Sequence, residues 1–289
     1  MIGLIGASDG GGLAKLSDHI ARVRIEGLIT GNRKTLDLLK EIEEADRVKA
    51  LIVHIDSPGG TTAGSEAVHE ALRKIAAKKP VASVMGTVAA SGGYITAIAT
   101  DHIVARGNTI TGSIGVIFQW AEVTRLLDNL GVKMEEIKSS DLKAEPNMFK
   151  PLSEKARQVT QAMVDDSYKW FVDLVEERRK LTREDATRLS DGRVYTGRQA
   201  IENKLIDAIG GEPQAVAWLE KERSVSKDLE VVDWKASDDA VAGLLGESAI
   251  RAVAIALGLE PLLDSMRKTL KAEQLRLDGL ISVWHPNGG

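Results

Sequence analysis

The chain contains no cysteine, which excludes cysteine catalysis, thiolate metal sites and disulfides together. It also lacks a basic excess. Its 38 Lys+Arg stand against 42 Asp+Glu, a net charge of -4, whereas a nucleic-acid-binding face needs a clustered positive patch. Histidine is scarce: only His19, His54, His69, His102 and His285 are present, and no two share the i, i+4 spacing of a helical metal pair. No run approaches the ~18 consecutive apolar residues of a spanning helix. The opening "MIGLIGASDGGGLAKLSDHI" has no basic leader and is interrupted by glycines, so it does not read as a signal peptide. As given, the chain reads as soluble.

What is present is an ordinary globular composition, 43% hydrophobic and 28% charged over 289 residues. To about residue 150, short β runs alternate with helical stretches. "HIARVRIEG", "KALIVHID", "PVASVMG", "DHIVAR", "SIGVIF" and "KMEEIKS" read as strands. "RKTLDLLKEIEEAD", "SEAVHEALRKIAAKK", the segment after Ser91 and "EVTRLLDNLG" read as helices. "KALIVHID" is the continuous apolar run of a strand covered on both faces, and the alternation predicts an α/β domain with a largely parallel sheet. From Ser153 a long amphipathic helix begins, followed by two shorter ones, a β run "LEVVDW" and an apolar-faced helix "ESAIRAVAIALGL". The expected organisation is a lead-in over 1–19, an α/β domain over 20–223 and a mostly helical extension over 224–289.

Two glycine-rich turns stand at the ends of apolar strands, the edge where open parallel sheets gather ligands. The first is "DSPGG", Asp56 to Gly60, able to aim backbone amides at an anion or simply to turn a strand into a helix. The second is Ser91-Gly92-Gly93 in "VAASGGYITAIAT". A serine there can merely cap the helix. It can also be a nucleophile whose oxyanion rests on the Gly92 amide and on a second donor from Gly60. A nucleophile needs a base. His69 falls among charged helical neighbours and His102 opens a strand, so no Ser-His-Asp set emerges. A lysine of lowered pKa is the alternative. Lys138 and Lys143, in "IKSSDLKAEPNMF", follow a predicted strand, yet spacing cannot rank the chain's lysines.

"DSPGG", "AASGGYI", "TGSIGV", "IKSSDLK" and "LSDGRVYTGRQA" occur in that order, over about two-thirds of the chain from Ile20 to Gly211. Together they resemble the signal peptide peptidase A (SppA) family of serine peptidases. That resemblance implies the ClpP/crotonase fold, a spiral of β-β-α units with a largely parallel sheet and added C-terminal helices. It implies a Ser-Lys dyad in which Ser91 is the nucleophile, Lys143 the general base and Ser113 the residue that orients the lysine. Gly60 and Gly92 would supply the oxyanion-hole amides. No metal or cofactor is implied, and "DSPGG" lacks the lysine and hydroxyl residue of a phosphate-binding loop. "LSDGRVYTGRQA" reads as structural, and Ser140 stands where the family often has glycine.

The resemblance further implies an endopeptidase for small unfolded or apolar peptides such as remnant signal peptides. It implies a homo-oligomer, a ring or dome of the kind that reaches an octamer, in which the lysine of one subunit completes the site of its neighbour. Relatives are often anchored to the membrane by an N-terminal segment; no such segment reads from this sequence, which as given is soluble, so the expected location is cytoplasmic or peripheral to the bacterial inner membrane. Two rivals use the same fold: a crotonase-like acyl-CoA enzyme, indifferent to Ser91 and Lys143, and a non-catalytic ring scaffold.

Overall fold

The apolar run "KALIVHID" lies near the middle of a mixed sheet. A computed structural model describes residues 17–235 and the backbone of 281–283. Strand β2 (Val48–Thr61) pairs in parallel with β1 (His19–Ile29) on one side and with β3 (Val81–Ala90) on the other. Its odd-numbered residues Leu51, Val53 and Ile55 enter one hydrophobic cluster, while Ala50 and Ile52 enter a second on the opposite face. Both faces are covered, so the run needs no polar alternation.

The larger cluster is closed by helices α1 (Arg33–Glu44), α2 (Thr62–Ala76) and α3 (Gly92–Ile98), with Phe171 and Val175 of the long helix α5 (Glu154–Arg179) behind them. α1 presents Leu38, Leu39 and Ile42, spaced for one helical face. It opens at Asn32, whose side chain accepts the Thr35 amide. The smaller cluster is covered by Ala215 and Leu219 of α8 (Glu212–Arg223).

β3 also pairs in parallel with β4 (His102–Ala105) and, farther along, with β5 (Ile110–Gly112). β6 (Val194–Thr196), from the "DGRVYTG" segment, then adds antiparallel to β5. Thr196 and Gln199 form a reciprocal capping box that starts the next helix. Among the described residues no helix is long and apolar enough to cross a membrane.

Three local expectations change. "SPGGT" continues β2 as strand to Thr61 and is not a turn, because β1 keeps pairing with Gly59 and Gly60 after a register shift. "SIGVIF" is not a strand. The pairing falls on Ile110–Gly112, and Ser113 at φ 50 ends it. "KMEEIKS" pairs with nothing among the described residues and leaves Met134 and Ile137 exposed. The extension after residue 223 returns to the sheet: β8 (Val231–Asp233) joins β1 in parallel, and β9 (Ile281–Val283) joins β2 antiparallel. The helix expected at "ESAIRAVAIALGL", Trp284 and His285 lie outside the described residues, as do residues 1–16 of the lead-in.

Candidate active site

Ser91 occupies the N-cap of α3 but does not cap it. Its side chain accepts no amide of the helix. Elsewhere Asn32, Thr61, Ser153, Thr182 and Thr196 each take the expected bond from the amide three residues on. The difference lies in the backbone. Those caps are extended, whereas Ser91 sits at φ 54, ψ −115, a conformation that costs a non-glycine residue on the order of 1–3 kcal/mol. The surrounding structure enforces it. The Ser91 amide donates to the Gly112 carbonyl at 2.8 Å, the Ile95 amide donates to Ser91 O at 2.9 Å, and α3 is buried along its whole length.

Register brings Ser113 alongside. Ala90 and Gly112 are partners across β3 and β5, so Ser91 and Ser113 are the next residues of two adjacent strands. Ser113 is also left-handed, and its amide donates to the Arg193 carbonyl at 2.8 Å. Both serines are buried.

Gly60 and Gly92 meet at the same place. A Cβ on Gly92 would lie 3.0 Å from the Gly60 nitrogen and 3.2 Å from Gly59 Cα, and closer still to Ser65 Oγ of α2. A Cβ on Gly60 would fall on the Ile29 carbonyl. Only bare backbone allows this approach, and a helix N-terminus adds a local field favourable to negative charge. Ser65 has no sequence signal beyond its helical position. It is fully buried, and its Oγ has no hydrogen-bond partner among the described residues.

Lys143 forms no hydrogen bond to either serine among the described residues. It lies exposed in a turn, its amide donating to Ser140 O at 3.1 Å, and its ammonium makes no hydrogen bond or ion pair among the described residues. Neither histidine near the glycine turns serves Ser91. His69 is buried with Nε2 unpartnered among the described residues, and burial, reinforced by Arg178 and Arg73, pushes its pKa down to about 4. His102 stacks on Trp218 at 4.7 Å, and burial lowers its pKa too.

The strand β9 also reaches the site. Ser282 is the antiparallel partner of Gly60, flanked by Val283 opposite Gly59 and Ile281 opposite Thr61. β3 last pairs with β2 at Ser57, so β9 takes the edge that β3 leaves. Three residues carry too little periodicity to mark this strand in the sequence.

Residues 73–226 match the model of peptidase family S49. The chain is similar to a Synechocystis sp. protein named as a protease, 40% identical over 201 residues, covering 69% of this chain and 72% of that one. It is also similar to the chloroplastic serine protease SPPA of Arabidopsis thaliana, 28% identical over 290 residues, covering 97% of this chain and 42% of that one. Among solved structures, a mutant of the membrane-bound stomatin-specific protease 1510-N aligns with a TM-score of 0.52 at 16% identity, covering 76% of this chain and 99% of that one. At that identity the likeness concerns the fold, and it agrees with the largely parallel α/β sheet of the ClpP-like class.

Proposed function

Since the chain belongs to peptidase family S49, the family of the SppA serine peptidases, we propose that it is an endopeptidase working through a Ser91-Lys143 dyad. The observation that carries this reading is the strained backbone of Ser91, a helix-opening serine that forgoes the cap. A serine serving only to cap a helix gains nothing from φ 54; a nucleophile gains a defined aim toward the hole formed by Gly60 and Gly92.

In the proposed cycle neutral Lys143 accepts the Ser91 hydroxyl proton while Oγ bonds to a peptide carbonyl carbon. The resulting oxyanion rests on the Gly60 and Gly92 amides. As the C–N bond breaks, Lys143 returns the proton to the leaving amine, and water repeats the sequence to release the acyl group. Ser113 Oγ orients the lysine amine. No metal or cofactor enters.

The lysine is supplied by a neighbouring copy in a homo-oligomeric ring or dome. Two features support this. Lys143 is exposed, and its ammonium makes no hydrogen bond or ion pair among the described residues. The segment around it also exposes apolar side chains that water disfavours, Leu130 at 67% and Ile137 fully. The substrate is an extended, apolar, unfolded peptide such as a remnant signal peptide. It adds antiparallel to Gly59–Thr61, an edge that already accepts β9. Residues 20–223 form the peptidase domain, and 224–289 extend it. The crotonase-like alternative would leave the posture of Ser91 without a purpose.

Hydrolysis of a quenched apolar peptide by assembled wild type, Ser91→Ala and Lys143→Ala tests the proposal. Each variant alone should be inactive. Co-assembling the two should restore a fraction of wild-type activity, because some interfaces then pair an intact serine with an intact lysine. Full activity of either single variant overturns the dyad; failure of complementation returns the lysine to its own chain.

A further inference from the structure

The turn that carries Lys143 is closed at its base by a cluster that the dyad itself does not use. Glu145 Oε1 receives Lys138 Nζ at 2.6 Å, Lys150 Nζ at 2.5 Å and Asn147 Nδ2 at 3.3 Å. Glu136 Oε1 receives the same two ammonium groups, each at 2.9 Å. Two lysines and two glutamates thus alternate around a ring that ties 136–138 to 145–150. The residues between them, 139–144, form a short loop braced by Lys143 N to Ser140 O and Glu145 N to Leu142 O, with Ala144 left-handed at φ 60. Lys143 lies in this loop.

Glu145 is unlike its surroundings. The arm around it is largely exposed, yet its side chain is only 3% exposed, and Oε2 is buried without a partner among the described residues. Both of its cationic partners come from the same arm. Those cations, Lys138 first and Lys150 second, also hold its carboxyl below the usual carboxylate range. Removing that one charge would leave Lys138 and Lys150 facing each other, with only the exposed Glu136 between them.

We propose that Glu145 is a positioning residue for Lys143: its carboxylate gathers Lys138 and Lys150 and so holds the 139–144 loop in the shape that presents the lysine. This inference rests on the reading of Lys143 as the base. The need for such a clamp follows from the exposure of the arm. A lysine offered to another copy must be carried by a loop ordered by its own local contacts, since misplacing a catalytic group by about 1 Å can cost ~10² in rate.

The test compares assembled wild type with Glu145→Gln, Glu145→Asp, Lys150→Gln and Lys143→Ala, measuring kcat and KM separately alongside oligomeric state. Glu145→Gln is expected to lower kcat at least ~10-fold with KM nearly unchanged, because the peptide edge at Gly59–Thr61 is untouched. Glu145→Asp should recover part of the loss, which a role in bulk packing alone would not predict. Lys150→Gln keeps one arm of the clamp and should fall between, and it decides the matter if Glu145→Gln fails to assemble. An inactive Lys143→Ala beside a fully active Glu145→Gln, or beside a fully active Lys150→Gln when Glu145→Gln does not assemble, overturns the clamp. A fully active Lys143→Ala overturns the base assignment instead.

Discussion

Gly92→Ala adds a single carbon where the structure has little room. The new Cβ would stand 3.0 Å from the Gly60 nitrogen and 3.2 Å from Gly59 Cα, and would collide with Ser65 Oγ. All of these groups are buried, so the site cannot relieve the contact by turning a side chain into solvent. Overpacking of this kind costs about 1–3 kcal/mol. For a chain of this size that lowers Tm by a few degrees to roughly 10 °C. The catalytic cost should be larger. Relief requires Gly60 and Gly92 to move apart, and losing one oxyanion donor typically removes ~10²–10³ from kcat. Ser65→Ala offers an internal control. It deletes a buried hydroxyl that has no partner among the described residues, so alone it should leave stability unchanged or raised. Combined with Gly92→Ala it should return much of the lost Tm, while the rate stays low because the Gly60 contact remains. The assay is thermal unfolding and peptide hydrolysis on the four assembled proteins, treated as a double-mutant cycle. Wild-type kcat in Gly92→Ala would refute the assignment of these two amides to one oxyanion hole, whatever happened to Tm.

Acid should destabilise the protein through His69. The unfolded chain protonates this residue near pH ~6.5, whereas the folded protein holds its pKa down to about 4. Between those values the unfolded state binds the extra proton. The stabilisation is therefore complete above ~6.5 and is lost as pH falls toward 4, on the order of 3 kcal/mol in all. Denaturant titrations at several pH values should show this slope, and His69→Leu should flatten it; an unchanged slope in the variant would remove His69 as the cause. At the peptide edge, a chain ending at Gly279 lacks β9 and should cleave peptide faster than the full chain. A peptide of residues 280–289 should slow the shortened protein competitively, and equal rates for both lengths would show that β9 does not obstruct the edge.

Much of the fold was legible because local pattern and tertiary environment agree along it. The apolar run of β2 announces a strand buried on two faces, and the spacing of Leu39 and Ile42 announces the face of α1. The order of five short motifs pointed to the peptidase family. The mistakes fall where partners decide. "SPGG" looks like a turn until β1 pairs with it, and "KMEEIKS" looks like a strand although no strand comes to meet it. The same division runs through the site. The sequence by itself determined which residue types are available: a serine before two glycines, no cysteine, few histidines and a lysine in a polar loop. Whether Ser91 caps its helix is a matter of two backbone angles, and these are set by Gly112 of β5 and by the burial of α3. The crowding of Gly60, Gly92 and Ser65, and the return of β9 to Gly60, join residues that are distant along the chain. Only tertiary structure decides such contacts, because the energies that select them, close packing and strand pairing, exist only once the remote segments are together.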